Sequence, residues 1–194
     1  IMKIVIVGLS AAGLSALTTL TRMSPECEIT VISEENLQPY SRCLLTHYIG
    51  KEITKNNLFI SDTSQFSSNV KFVFGKKAVS IDSEKKLLLL SDNDNIFYDA
   101  ILLATGAEPI KPDYTKKSDK VFTLRYFKDA KKIEKSTKET ATIVGGGFVG
   151  IKTAYGFVER GVSVNMIVSS PYPLSMILDE ETGKLIEKEL KNLG

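Results

Sequence analysis

The sequence predicts an α/β protein in which two parallel-sheet units follow one another along the chain. Two observations carry this prediction. Ile4-Val5-Ile6-Val7-Gly8-Leu9-Ser10-Ala11-Ala12-Gly13 runs from an apolar strand through a glycine turn into a helical pattern. Thr142-Ile143-Val144-Gly145-Gly146-Gly147-Phe148-Val149-Gly150 does the same, and Gly8 precedes Gly145 by the interval that separates Gly13 from Gly150.

Length and composition set the frame. The 194 residues allow one large or two small domains, and 43% hydrophobic residues supply a core. A formal net charge of +2 makes no demand for nucleic acid or an anionic membrane as partner. Cys27 and Cys43 form neither a metal framework nor a C-x-x-C pair, so no metal site is expected and a reducing cytoplasm is the simplest setting. Lys3, the apolar run and the small residues after it share features with a signal peptide, but Gly8 and Gly13 break the run. No uninterrupted apolar stretch reaches membrane-spanning length.

Residues 2–7 are β-branched and alternate little, as in a strand buried on both faces. Leu14, Leu17 and Leu20 give residues 11–22 a helical stripe, which Pro25 ends. Residues 27–33 make the next parallel strand, with Glu34 and Glu35 at its carboxyl end. Residues 36–50 read as a loop and short helix, and residues 56–69 as polar and partly helical. Val70–Phe74 and Ala78–Ile81 read as strands, and Asp92-Asn93-Asp94-Asn95 joins Leu87–Leu90 to Ile96–Tyr98 as a hairpin. Residues 98–109 run as a buried strand into a Thr-Gly turn, and residues 110–120 make a linker.

Val121–Leu124 reads as a short strand and residues 126–135 as a Lys-rich helix whose charges need only be a solvated face. A strand at 141–144, a helix near 148–160 and a strand at 162–168 build the second unit. Asp179 caps a last helix. That helix and two strands leave the second sheet short of material, so the sequence reads as part of a longer chain.

Gly145, Gly147 and Gly150 fit the dinucleotide fingerprint G-x-G-x-x-G. The first glycine permits the tight turn, the second lets backbone approach a pyrophosphate, and the third lets helix press on strand. The helix start at Phe148 and Val149 then offers N–H groups to phosphate. In the first copy Ser10 replaces the middle glycine, between Gly8 and Gly13, and its hydroxyl is a further phosphate donor. Two such loops suggest electrons passing between two cofactors.

Four stretches in order make the whole chain resemble the N-terminal part of the FAD-dependent pyridine nucleotide-disulfide oxidoreductases: Gly8–Gly13, Pro39–Thr46, Ala104-Thr105-Gly106 and Gly145–Ala154. Within that superfamily it is most similar to the nitrite, rubredoxin and ferredoxin reductase-like branch. The resemblance implies a Rossmann-like FAD-binding fold with a small β-meander, then a partial second Rossmann-like fold for NAD(P)H that brings nicotinamide to the flavin. The expected boundaries are 1–110, 111–137 as connecting segment, and 138–194. A second FAD motif and an interface domain would follow.

The resemblance also places residues. Gly8, Ser10 and Gly13 would face the FAD pyrophosphate, with Thr105 and Gly106 passing near FAD. Glu34 would accept from the adenosine ribose, with Ser33 and Glu35 as neighbouring candidates. Arg42 would bridge phosphate or flavin oxygens. His47 stands where the ferredoxin-reductase branch has a lysine. Lys152 departs from a frequent glutamate. At the end of the second unit's last strand Val168, Ser169 and Ser170 match neither the acidic rule for NAD nor the arginine rule for NADP, and Ser169 is the candidate ribose contact.

The implied activity is electron transfer from NAD(P)H through FAD to a small redox protein, a metal centre or a small molecule, with a homodimer as candidate assembly. Two alternatives stand beside it. Cys43 to Gly50 resembles the redox-cysteine segment of coenzyme A disulfide reductases and NADH oxidases, in which Cys43 would carry electrons, whereas packing as a small hydrophobe is the competing expectation. A non-enzymatic NAD(P) redox sensor is the other.

Overall fold

The computed structural model describes residues 1–111, 113–115 and 118–194. The expected linker at 110–120 falls partly outside them. The chain divides into two compact units: Ile1–Ser41 with Phe59–Ala107, and Arg42–Leu58 with Glu108–Gly194.

The first unit contains β1 (Lys3–Val7), α1 (Ala11–Met23), β2 (Glu28–Ser33), β3 (Val70–Phe74), β4 (Ala78–Asp82), β5 (Leu87–Leu90), β6 (Asn95–Phe97) and β7 (Ala100–Leu103). Its parallel sheet has the order β3-β2-β1-β7, with Val5 opposite Thr30 and Ile101. Strand alternation sends β1 side chains to two cores. Ile4 and Ile6 pack with Leu17, Ile29 and Val31 on the α1 side. Val5 and Val7 pack with Ile32, Leu88, Leu90 and Tyr98 on the other. The antiparallel meander β4-β5-β6 therefore roofs the second face of the sheet. Each fully buried aliphatic side chain here contributes about 1.5–3 kcal/mol of burial.

Two expectations are corrected, and a third is made specific. β7 is not a buried strand: it stands at the sheet edge, and Leu102 and Leu103 are 39% and 58% exposed. The partly helical reading of residues 56–69 takes the form of short 3₁₀ helices at Lys55–Leu58 and Thr63–Gln65, because polar residues such as Asp62 bond local backbone instead of propagating a longer helix. Val121–Leu124 is not a strand, since no neighbour completes a ladder with it among the described residues.

The second unit contains α2 (Leu45–Ile49), α3 (Phe127–Ser136), β8 (Thr140–Val144), α4 (Phe148–Val158), β9 (Ser163–Ile167) and α5 (Glu180–Leu193). β8 and β9 pair in parallel, Ile143 opposite Met166. Although α2 lies between strands of the first unit in sequence, it packs here. Gly50 and Gly156 let its end approach α4 so closely that a Cβ on Gly156 would stand 3.0 Å from the Gly50 Cα. Arg160 fastens the same junction: its guanidinium donates to the carbonyls of Ile49 (2.9 Å), Glu134 (3.4 Å) and Thr137 (3.4 Å), acceptors that helix ends leave unpaired. The Tyr48 ring meets Phe127 edge-on with centroids 5.1 Å apart. Among the described residues no helix is long and apolar enough to cross a membrane.

Candidate functional site

Each unit holds a glycine loop of the same construction. In the first, Gly8 takes φ +107° and its N–H donates to the Ile32 carbonyl at 2.8 Å. In the second, Gly145 takes φ +118° and donates to Ile167 at 2.8 Å. Only glycine adopts such φ values without strain, so the first position is fixed by the turn. The third glycine lies over the first. A Cβ on Gly13 would stand 1.9 Å from the Gly8 carbonyl oxygen, and one on Gly150 would stand 2.3 Å from that of Gly145.

The middle position differs in kind. Ser10 (φ −94°, ψ −161°) and Gly147 (φ −83°, ψ 176°) are both extended N-caps. Any residue adopts that backbone, as Ser10 itself demonstrates. Nothing lies within 4 Å of where a Gly147 Cβ would be. The missing side chain thus leaves a cradle that the protein's own atoms do not fill. Neither Ser10 nor Gly147 caps its helix through a side chain, so no cap side chain competes with an anion for the first N–H groups of α1 and α4. Phe148 and Val149, 64% and 58% exposed, flank the second cradle.

Around the first cradle, Ala104 donates its N–H to Val7 at 2.8 Å, which holds the exposed Thr105-Gly106 turn beside Gly8; Gly106 has φ +73°. At the end of β2 the two carboxylates part. Tyr40 donates its hydroxyl to both Glu35 oxygens at 2.8 and 3.0 Å, and Glu34 stays exposed. Glu35 thus braces the loop through Tyr40, and the Glu34 carboxylate stays at the exposed end of the strand. Ser33 donates to the Glu35 carbonyl at 3.1 Å.

The end of β9 shows a similar division. Ser170 donates its hydroxyl to the Tyr172 carbonyl at 2.9 Å, and Ser169 is exposed. The cavity of about 370 Å³ between α4, β9 and α5 is lined by Val158, Val164, Met166, Leu190 and Leu193, with Tyr172 and Lys191 at its polar side.

The segment from Arg42 to Glu52 belongs to the second unit. Arg42 Nη1 donates to the Arg125 carbonyl at 2.7 Å, and its guanidinium lies 5.0 Å from the Tyr126 ring centroid. Tyr126 in turn donates its hydroxyl to Glu108. Cys43 is exposed, so core packing does not account for it, contrary to that expectation. His47, one turn later, holds Nδ1 at 2.6 Å from Glu52 Oε2, and the Glu52 N–H donates back to the His47 carbonyl at 3.0 Å. The pair orients the imidazole. Glu52, Arg125 and Tyr126 escape sequence reading because no short pattern links residue 42 to residue 125. Among the described residues no group of His, Cys, Asp and Glu is placed to hold a metal ion.

The donors fit nucleotide diphosphates. Each loop precedes a helix N-terminus with N–H groups that no side-chain cap engages, the second has open space at Gly147, and Glu34 and Ser169 are exposed at the ends of the strands that follow. Comparison with known proteins agrees. The family model for pyridine nucleotide-disulphide oxidoreductases matches residues 2–194. The NADH oxidase of Methanocaldococcus jannaschii is 31% identical across all of this chain and 46% of its own length. The NADH-rubredoxin oxidoreductase of Clostridium acetobutylicum is 32% identical over 99% of this chain and 51% of its own. The crystal structure of NADH:rubredoxin oxidoreductase from that organism superposes with a TM-score of 0.86 and 31% identity, over all of this chain and 51% of that one. The chain spans about half the length of the curated relatives it matches.

Proposed function

Because the chain belongs to the pyridine nucleotide-disulphide oxidoreductase family, we propose that the protein passes electrons from NAD(P)H through FAD to a small redox protein. The observation that carries this is the pair of glycine cradles of one construction, one in each unit. FAD, when bound, supplies the redox chemistry, taking electrons from the nicotinamide and handing them on.

The protein's own residues bind and orient. Gly8, Ser10 and Gly13 with the α1 N-terminus would hold the FAD diphosphate, and Glu34 would accept from its ribose. Arg42, Thr105 and Gly106 would complete that set. Gly145, Gly147 and Gly150 with Phe148 and Val149 would hold the NAD(P)H diphosphate, and Ser169 would meet its ribose. The exposed end of β9 carries neither carboxylate nor cation at residues 168–170, so NADH and NADPH are both substrates to assay. Simultaneous occupancy is the test. Calorimetric titration of FAD-loaded protein with oxidised NAD⁺ and NADP⁺ should show binding without release of FAD. Displacement of FAD by either nucleotide would reduce the two cradles to one shared site and refute the reading.

The exposure of Cys43 and the held imidazole of His47 favour a second reading, in which the Cys43 thiol takes electrons from the flavin as in NADH oxidases. The M. jannaschii relative carries that name.

A further inference from the structure

We propose that the nucleotide cradle of the second unit accepts both NADH and NADPH, because the loop that walls it is braced and carries no charge to separate them. The proposal deepens the reading that this cradle holds NAD(P)H and rests on it.

The loop begins and ends on the glycine turn. The Gly145 N–H donates to the Ile167 carbonyl at 2.8 Å, and the Leu174 N–H donates to the Gly146 carbonyl at 2.9 Å. Gly146 lets both ends of the loop close on it: an added Cβ would stand 2.8 Å from Val168 Cγ1 and 3.3 Å from the Pro173 Cα. Leu174 takes φ +58° to make the return, a conformation that a bulky residue keeps only where its surroundings hold it. The far side is fixed too. The Tyr172 ring covers Gly183 of α5 so closely that an added Cβ would overlap it, and the Tyr172 hydroxyl donates to the Leu178 carbonyl at 3.4 Å. Ser170 is engaged with the Tyr172 carbonyl, which leaves Ser169 and Pro171 exposed at the tip.

In a cradle of this kind the adenosine ribose meets the protein at the end of the strand after the glycine loop. A site tells two ligands apart by a contact that favours one or a repulsion that excludes the other. A carboxylate does both in favour of NADH, accepting from the ribose hydroxyls and repelling a 2′-phosphate, and an arginine favours NADPH. From Gly161 to Leu178 the sequence holds neither, nor any other charged residue. The charges that open α5 are engaged or turned away. Asp179 accepts from the Thr182 N–H at 2.8 Å, and Lys184 is held by Glu180. Glu181, two positions before Gly183, projects from the other side of the helix. What the loop does offer is the Ser169 hydroxyl, which can accept from a 2′-hydroxyl and can equally donate to a 2′-phosphate oxygen.

Calorimetric titration of the FAD-loaded protein with NAD⁺ and with NADP⁺ at low salt tests the proposal, on the wild type, Ser169→Asp and Ser169→Arg. The two wild-type Kd values should agree to within roughly tenfold, because no charge on the loop separates them. Ser169→Asp should weaken NADP⁺ by roughly tenfold or more while holding NAD⁺ within about threefold, and added NaCl should narrow the gap. Ser169→Arg should shift the ratio the other way, toward NADP⁺. A wild-type preference beyond tenfold for either nucleotide would overturn the proposal and leave the cradle's assignment standing. That includes a preference for NADP⁺ that Lys152→Gln removes, since Lys152 is the exposed lysine of α4. Equal losses for both nucleotides in the Asp and Arg variants would also overturn it, because Ser169 would then not face the 2′ position. Binding of neither nucleotide by the wild type would remove the underlying reading, and the proposal with it.

Discussion

Gly150 sits over the carbonyl of Gly145 so closely that an added Cβ would stand 2.3 Å from that oxygen, whereas Gly147 between them has nothing within 4 Å. The two glycines therefore do different work. Gly150→Ala should destabilise the second unit by about 1–3 kcal/mol through overpacking. Gly147→Val should cost about 1 kcal/mol or less, the loss of a good N-cap, yet abolish NAD(P)H binding by filling the pyrophosphate path. Denaturant melts and nucleotide titration of both variants check this. Unchanged nucleotide affinity in Gly147→Val would take that residue out of the site.

Arg160 closes the ends of α2 and α3 with one guanidinium. Arg160→Ala should remove roughly 2 kcal/mol, the range for hydrogen bonds with a charged donor. The loss should appear first as faster amide exchange in Tyr48–Gly50. Unaltered protection there, with stability unchanged, would mean that the Gly50–Gly156 contact holds α2 without help.

Helix α5 should respond to acid through its cap. The Thr182 N–H donates to Asp179 at 2.8 Å and holds that carboxyl below its ordinary value of 3.8. A depressed folded value means that the contribution is complete above the unfolded value and fades as pH falls through the folded one. The first turn should therefore fray below about pH 3.8, and Asp179→Asn should remove the dependence. Following the Thr182 amide resonance through an acid titration tests it. A transition centred above the ordinary value would contradict the sign.

Cys43→Ser should retain turnover with a protein carrier to within roughly twofold, because the proposed path runs from flavin to carrier without a thiol and serine preserves size. Acceptor turnover is the measurement. Its near-total loss, with nucleotide-driven flavin reduction intact, would make Cys43 the second electron carrier and favour the thiol reading.

Much of this was legible in the sequence because the signals are local. The glycine turns, the β-branched strand β1 and the hairpin at Asp92–Asn95 announce themselves within a few residues. So does the Asp179 cap. What distant residues decide was not legible. The Gly50–Gly156 contact and the Arg160 hydrogen bonds place α2 with the second unit, and no pattern near residue 50 encodes a helix more than a hundred residues on. Val121–Leu124 had strand-forming residues but no partner, and strand propensity without a ladder is weak. Cys43 could be weighed for packing only until its exposure was known. Glu34 and Glu35 looked equivalent until Tyr40 claimed one of them.

The central proposal is that electrons pass from NAD(P)H to FAD. Anaerobic titration of the FAD-loaded protein with NADH and with NADPH, followed at the oxidised-flavin absorption band, tests it most directly. The account predicts bleaching that completes at one equivalent of at least one nucleotide in the wild type, and none in Gly147→Val. A flavin that stays oxidised in the wild type with both nucleotides, or that bleaches equally in Gly147→Val, would contradict it.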